Sequence, residues 1–186
     1  WKGLRRLALR LANRSEYKAA NQYATGLAGL ALATRLPKMN LDISSIDNHA
    51  NKLFSLQHSE GWFYEYGGPD FGYLTVTIDA LTDYYDVTGD ERAIKAIDKA
   101  IKFLADLVGK DGELPWTLNS RNTDYIVPYG IVRAAKRNSL SSWLVTTLFA
   151  NLSKTSHWIW STDDRYHLHY IFSSLARSLP HLKGII

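Results

Sequence analysis

Apolar residues recur every three or four positions along most of the chain, and this spacing predicts a string of amphipathic helices. The clearest helix of the first half covers residues 15–35, and Pro37 follows it as a stop. Ser44 and Asp47 have the spacing of a capping box, which predicts a shorter helix that begins there and ends near Gln57. The first third of the chain is therefore expected to be helical.

The middle of the chain predicts a helical hairpin. Its first helix ends at Gly89, because glycine favours the left-handed backbone found after a helix C-terminus. Asp90 is a good N-cap for the second helix, which closes at Gly109. Since only residues 87–90 connect the two helices, they must run antiparallel. Three more helices are predicted near residues 131–136, 139–152 and 164–179.

Two long loops, residues 60–73 and 111–130, interrupt the helices. Each hairpin thus has a tight turn at one end and a long loop at the other, as in a curved array whose long loops gather on one rim. We predict an all-α fold in which antiparallel helical hairpins form an α/α toroid or partial toroid. Residues 1–186 are expected to form one domain. Because the chain begins at Trp1 rather than Met, we expect it to be a piece of a longer protein, with any signal peptide outside it.

The composition of the chain excludes several kinds of functional site. The 186 residues are 46% hydrophobic and 22% charged, as in an ordinary globular protein. The chain has no cysteine, which excludes disulfides, thiolate catalysis and cysteine-bound metals. His167 and His169 are two residues apart and face different sides of a helix, and the chain has no HExxH pattern, so we predict no metal site. Nothing in the sequence calls for another cofactor, and glycine-rich phosphate loops of the P-loop or Rossmann type are missing from it.

The formal charge of +4 is mild and indicates no nucleic-acid partner. The densest basic cluster is predicted to be the solvated face of an amphipathic helix whose other side carries Leu4, Leu7 and Leu11, with an anionic surface as the alternative. That cluster consists of Lys2, Arg5, Arg6, Arg10 and Arg14. The longest apolar stretch, residues 27–33, is far shorter than the roughly 20 residues of a membrane span, so no membrane partner is expected and the chain is predicted to be soluble, in a compartment that the sequence leaves open.

The loop at residues 60–73 combines aromatic, acidic and glycine residues, a composition suited to the lining of a sugar-binding groove. Its candidate sugar contacts are Trp62, Tyr66 and Asp70. A structural alternative stands beside this interpretation, because tryptophans such as Trp62 and Trp116 are more often core or loop anchors. Tyr73, at the end of the loop, is likewise either a catalytic phenol or a packed helix-start aromatic.

Three short pieces have the order of a known motif. They are Asn21-Gln22-Tyr23 at the start of an alanine-rich helix, the segment Glu60-Gly61-Trp62-Phe63-Tyr64-Glu65, and Gly72-Tyr73. In this respect the chain resembles the α/α-toroid catalytic domain of heparinase II/III-type and alginate-lyase-type polysaccharide lyases. Where such lyases often have Tyr-His, this chain has Tyr73-Leu74.

The resemblance implies β-elimination on a uronate polymer. That reaction needs groups that neutralise the uronate carboxylate, and a base and an acid beside C5. The suitable neutralisers are Asn21, Gln22, Arg121 and Asn122, although Asn21 is as readily explained by hydrogen bonds to local backbone. Tyr73 is the expected base or acid, with its pKa lowered by Arg121, and His169 is the best imidazole.

Polar residues elsewhere complete the predicted cleft. In the second loop the candidate sugar contacts are Trp116, Asn122, Asp124 and Tyr125, and Arg121 with Asp124 is expected either to grip a ligand or to hold the loop. Near the C-terminus they are Asp164 and Arg165, which follow Asp163, a good N-cap.

The sequence therefore predicts a protein that binds an oligosaccharide or acidic polysaccharide in a cleft and acts on it by β-elimination. One alternative is a glycoside hydrolase that pairs Glu65 with Asp70, Asp163 or Asp164. Another is a glycan-binding or scaffold toroid without catalysis. In any of these a homodimer would complete a partial ring.

Overall fold

The computed structural model describes residues 1–13, 18–37, 39, 41, 43–118, 125–150, 152, 158–161 and 171–186. Within these ranges the regular secondary structure is helical, joined by isolated β-bridges, which confirms the all-α prediction for this part of the chain. The longer helices are α1 Lys2–Ala12, α2 Ala20–Thr34, α3 Ile43–Ser55, α4 Phe71–Thr88, α5 Glu91–Leu107, α6 Tyr129–Ala134 and α7 Ser139–Phe149. A 3₁₀ turn covers Trp116–Leu118, and the chain ends with α8 Trp158–Ser161 and α9 Phe172–Leu182.

The core is built around α4, which packs against α2, α5 and α6. Helix α4 is buried on most of its surface, and threonines such as Thr75 and Thr82 satisfy their buried hydroxyls on backbone carbonyls of their own helix. Helix α6 crosses it closely, because a Cβ at Gly130 would lie 2.8 Å from the Ile78 backbone. Only glycine permits this approach, so the crossing depends on the sequence at one position.

The predicted hairpin of α4 and α5 forms as expected. Gly89 has a φ of 69° and its N–H donates to the Tyr85 carbonyl, which ends α4. Asp90 accepts from the Arg92 backbone N–H and caps α5. The Tyr84 hydroxyl also donates to Asp90, so the cap is tied to the helix that precedes it.

Helices α1 and α3 pack on α2 and on each other. His49 of α3 joins them, because its Nε2 donates to the Ala12 carbonyl at 2.7 Å and its Nδ1 accepts from the Tyr23 hydroxyl at 2.5 Å. A carbonyl only accepts, so the proton of the neutral ring is on Nε2.

Several predicted boundaries are wrong. Helix α2 begins at Ala20, because Ala19 is extended and residues 18 and 19 pair with the 60–73 loop. Ser44 and Asp47 lie inside α3 rather than at its cap, and Asp47 faces Arg92 at 3.4 Å instead. Helices α3 and α7 end at Ser55 and Phe149, earlier than predicted.

The described helices include none with the length and apolar character needed to cross a membrane.

Candidate functional site

The 60–73 loop is fixed against the helices on both sides of it. After α3 the chain doubles back, and the His58 N–H donates to the Trp62 carbonyl at 2.8 Å. Gly61 has a φ of 108°, and a Cβ there would lie 2.2 Å from the Lys99 carbonyl oxygen of α5. The Gln57 side-chain amide bonds the Gly61 and Ala96 carbonyls. Glycine is therefore required at position 61 for the loop to lie against α5.

A two-residue β-turn forms the tip of this loop. The Glu65 N–H donates to the Gly68 carbonyl at 2.8 Å, and the Gly68 N–H donates back to the Glu65 carbonyl at 3.1 Å. Tyr66 and Gly67 between them have φ values of 51° and 106°, as a type I′ turn requires. The turn holds the Tyr66 side chain outward, 61% exposed.

This turn pairs with the chain just before α2. The Ala20 N–H donates to the Tyr64 carbonyl at 3.1 Å, and the Tyr66 N–H donates to the Lys18 carbonyl at 2.6 Å. On the outer side the Gln22 amide donates to the Tyr66 hydroxyl at 3.2 Å. Two segments that the sequence analysis assigned to one motif, the start of α2 and the aromatic loop, thus lie together.

Asn21 and Glu65 form the centre of this junction. The backbone N–H of Asn21 donates to Glu65 Oε1 at 2.6 Å, and its side-chain Nδ2 donates to Oε2 at 2.7 Å. Glu65 is only 5% exposed and Asn21 is buried with it. Among the described residues, these two bonds are the only ones that the Asn21 side-chain amide and the Glu65 carboxyl make. The local-backbone alternative for Asn21 does not describe its side chain, which bonds a residue 44 positions away.

The environment of Glu65 changes its acidity. Burial raises the pKa of Glu65 to about 7, against the hydrogen bonds from Asn21, which lower it, and with a small further increase from the charge of Asp70. The carboxyl therefore holds its proton to a much higher pH than an ordinary glutamate does. A group with such a pKa can give or take a proton under physiological conditions.

Asp70 and Tyr73 continue the site into α4. Asp70 is buried and caps the helix, accepting from the Tyr73 backbone N–H at 2.8 Å. The Tyr73 ring meets the Tyr125 ring edge to face, with centroids 6.2 Å apart. Tyr125 is buried over Gly72, where a Cβ would lie 2.8 Å from its ring. Tyr125 joins the two long loops, as a packed anchor and not as an exposed sugar contact.

The tryptophan of the loop is also an anchor. Trp62 is 9% exposed, stacks on His58 with centroids 4.3 Å apart, and donates from Nε1 to Glu60 at 3.0 Å. The exposed rings beside it are those of Tyr64 and Tyr66. Sequence reasoning missed Tyr64, although alternate residues of a paired segment face opposite sides and Phe63 and Glu65 are the buried ones.

The remaining predicted site residues lie beyond what the structure describes. Of Trp116 only the backbone is described, in a 3₁₀ turn. The others fall outside the described residues: Arg121, Asn122, Asp124, Asp164, Arg165 and His169.

Another carboxyl with a raised pKa, which the sequence did not indicate, lies partly buried on α4. Asp79 accepts from the Gly130 N–H at 2.8 Å and faces Arg177 at 3.7 Å. Burial raises the pKa of Asp79 to about 7, although the Arg177 charge lowers it. Arg177 also pairs with Asp83 and lies 3.7 Å above the Tyr129 ring. These groups lie between α4, α6 and α9 and hold the three helices together.

Elsewhere in the described ranges, groups of three or more His, Asp or Glu side chains suited to a metal are not found. The candidate functional groups of the site are therefore the side chains of Glu65, Asn21 and the tyrosines around them. Comparison with protein-family models, with curated proteins and with solved structures finds no significant match to this chain, so the function of the site has to be inferred from its own residues.

Proposed function

We propose that the surface made by the 64–68 turn and the first turn of α2 binds an acidic oligosaccharide and that the site beside it acts on the sugar by β-elimination. The observation that carries the proposal is the Asn21–Glu65 pair. A buried carboxyl with a pKa near 7 is held by a side-chain amide, directly beneath a turn that exposes tyrosine rings. The α/α-toroid arrangement predicted from the sequence belongs to the same proposal.

Two exposed rings favour a sugar as the ligand. Tyr64 and Tyr66 are 41% and 61% exposed, and the apolar faces of a pyranose stack on accessible aromatic rings. Gln22 adds an amide next to the Tyr66 hydroxyl, within reach of sugar hydroxyls. A surface that combines ring faces with amide and hydroxyl groups has the two kinds of contact that a carbohydrate needs.

Asn21 supplies the group that elimination needs first. One N–H of its amide is fixed by Glu65, and the second N–H is not bonded to any described residue. A uronate carboxylate that accepts from this amide is neutralised in part, which makes the C5 proton more acidic. Glu65 keeps the amide in place and fixes which of its groups faces the sugar.

Tyr73 is proposed to move the protons. In the elimination a base removes the C5 proton, the C5–H electron pair forms the C4–C5 double bond, and the C4–O bond breaks. The leaving oxygen takes a proton from an acid, and the tyrosine can supply it after accepting the C5 proton. Arg121 and His169 stay in the proposal as the residues that would assist Tyr73.

A second candidate function uses Glu65 itself. A glycoside hydrolase needs one carboxyl that is protonated at working pH, and burial gives Glu65 that property. Asp70, whose charge influences Glu65, is occupied as the cap of α4, which disfavours it as the partner carboxylate. Elimination is preferred for this reason.

One assay separates these functions. The protein is incubated with uronate polymers while ultraviolet absorbance of the unsaturated product and the number of new reducing ends are both followed. We expect absorbance and reducing ends to rise together. Reducing ends without absorbance indicate hydrolysis, binding without either indicates a glycan-binding protein, and a failure to bind uronate chains overturns the proposal.

Tyr73→Phe tests the role of the phenol in the same assay. The substitution removes only the hydroxyl and keeps the ring contact with Tyr125. We expect it to abolish product formation while leaving glycan binding in place. Tyr85→Phe is the matched control, since Tyr85 lies on the same helix and bonds Glu91. Equal activity of the two variants contradicts the assignment.

A further inference from the structure

Helix α1 packs on the rest of the protein through its C-terminal half. Ala8 is buried, and Leu11 lies against Gly26 and Gly29 of α2, whose Cβ positions would be 3.9 Å from its methyl groups. Small residues on α2 thus let the end of α1 lie close to it. The Ala12 carbonyl is bonded by His49 of α3, which fixes this end of the helix.

The N-terminal half of α1 leaves its apolar residues uncovered. Trp1, Leu4 and Leu7 are 59%, 51% and 55% exposed. Leu4 and Leu7 fall in the same narrow sector of the helix as Leu11, which packs on α2. The stripe that anchors α1 therefore continues beyond the part that α2 covers.

The charges of α1 are also unmatched. The helix contains Lys2, Arg5, Arg6 and Arg10, has no acidic residue, and forms no ion pair with any described residue. The other 18 Lys and Arg residues of the chain are balanced by 18 Asp and Glu, so these four cations equal the whole formal charge of +4. A partner for α1 must therefore be acidic as well as apolar.

We propose that Trp1, Leu4 and Leu7, with Arg5 and Arg10 on the two flanks of their stripe, form a docking surface for an amphipathic helix of a partner protein whose apolar stripe is flanked by Asp and Glu. This α1 surface faces the same side as the body of the protein, because it continues the stripe that packs on α2. A helix fits into the corner between α1 and the body and extends the existing helix-on-helix packing. A bilayer is a worse fit for this surface. A helix that lies in the plane of a membrane buries its apolar face in the lipid, and a flat membrane could contact α1 only from the side away from the body of the protein.

A second copy of the chain is a poorer match. Helix α9 also has a solvent-exposed apolar face, since it buries Ser174 and Ser178 and exposes Phe172 and Leu179. It has no acidic residue, and its one arginine, Arg177, is already paired with Asp79 and Asp83. Docking α9 of one copy on α1 of another would therefore leave the cations of α1 without acidic partners, which disfavours that contact.

The test uses the full chain and a labelled synthetic helix of about 20 residues, with leucine at the heptad a and d positions and glutamate on the flanks. Its matched control has lysine in place of every glutamate. Fluorescence anisotropy gives the affinity for each. We expect the acidic helix to bind at least tenfold more tightly than the basic one, and added salt to reduce the difference.

Two double substitutions assign the binding to α1. Leu4→Ala with Leu7→Ala is expected to weaken binding of the acidic helix at least tenfold, and Arg5→Glu with Arg10→Glu to reverse the preference for the acidic helix. Because all four residues are exposed, both variants should keep the circular dichroism signal and the Tm of the parent. The controls are Phe172→Ala with Leu179→Ala and Lys95→Glu with Lys99→Glu, and neither should change the affinity.

Three results overturn the proposal. The first is equal affinity for the acidic and basic helices, and the second is binding that survives both α1 variants. The third is preferential binding to another occupant through Leu4 and Leu7. That occupant would be either phosphatidylserine-containing vesicles, in a cosedimentation assay, or a second copy of the chain, in sedimentation equilibrium.

Discussion

Glu65 accepts hydrogen bonds from both the backbone and the side-chain amide of Asn21, at 2.6 and 2.7 Å, and so joins the aromatic loop to the first turn of α2. Each oxygen of the buried carboxyl has one donor from the same residue. The junction depends on one residue that donates and one that accepts.

Asn21→Asp replaces the side-chain amide that donates to Glu65 with a carboxyl group of nearly the same size. The substitution puts two carboxyl groups against each other in a buried position, and we expect the free energy of unfolding at neutral pH to fall by about 3 kcal/mol or more. Urea denaturation measures the loss. Asn48→Asp, on the exposed side of α3, is the control and should change stability by no more than about 0.5 kcal/mol. Equal effects of the two substitutions would show that the pair does not stabilise the fold.

The pKa of Glu65 predicts how stability depends on pH. It is about 7 in the folded protein and near 4.5 in the unfolded chain, so between these values the folded state holds more protons. Stability is then fully present below about pH 4.5 and is lost as the pH rises through 7, by on the order of 3 kcal/mol for this group. Asp79, with a folded pKa of about 7, adds a loss of the same sign.

Denaturation curves between pH 4.5 and 8 check this expectation. Glu65→Gln removes the titration, so the slope of stability against pH should become shallower, and Asp79→Asn together with it should flatten the slope further. Glu113→Gln is the control, because Glu113 is exposed and its side chain makes no hydrogen bond to the described residues. A slope that is the same in the parent and in Glu65→Gln refutes the role given to this carboxyl.

Alanine substitutions at Gly61 and Gly67 distinguish the stability cost of backbone strain from that of a steric clash. Both have a φ above 100°, but a Cβ at Gly61 would lie 2.2 Å from the Lys99 carbonyl oxygen, and one at Gly67 meets nothing within 4 Å. Gly67→Ala is expected to cost about 1 kcal/mol for its φ alone. Gly61→Ala should cost at least about 2 kcal/mol more, because the loop must leave α5. Thermal unfolding compares them, and equal Tm values would exclude the close contact with α5.

Tyr66 tests the proposed sugar surface. Tyr66→Ala removes an exposed ring, and we expect the affinity for a uronate oligosaccharide to fall about fivefold to tenfold, as for the loss of one stacking contact. Isothermal titration calorimetry measures it. Phe172→Ala is the control, an exposed ring on α9 that should leave the affinity unchanged. Unaltered binding by Tyr66→Ala removes the turn from the site.

The sequence predicted those parts of the fold that depend on the conformational preferences of single residues, such as caps and turns. Gly89 and Asp90 mark the α4–α5 connection because their conformations depend on their own residue types. The predicted capping box was wrong because α3 already begins at Ile43, which puts Ser44 and Asp47 inside the helix. The exposed Asp47 side chain faces Arg92 of α5 instead.

The site was predicted in part. Asn21 and the aromatic loop were expected to form one cleft, and they lie together, but nothing local indicates that Asn21 holds Glu65 across 44 positions. Asp79 and Arg177 were missed for the same reason, because each has ordinary neighbours in sequence and they meet only when α9 packs on α4 and α6. Long-range pairs of this kind are fixed by packing geometry.

The turn at Tyr66 also affects the thermodynamics of ligand binding. Its main chain is fixed by the bond to Lys18 and by the turn, and its hydroxyl accepts from the Gln22 amide at 3.2 Å, so both ends of the side chain are restrained before a ligand arrives. A flexible ring would lose rotamer entropy on binding, at a cost of roughly 0.5 to 1.5 kcal/mol for an immobilised side chain. The side chain of Tyr66 therefore loses less entropy on binding, and a ligand that stacks on it should bind more tightly than it would to an unrestrained ring.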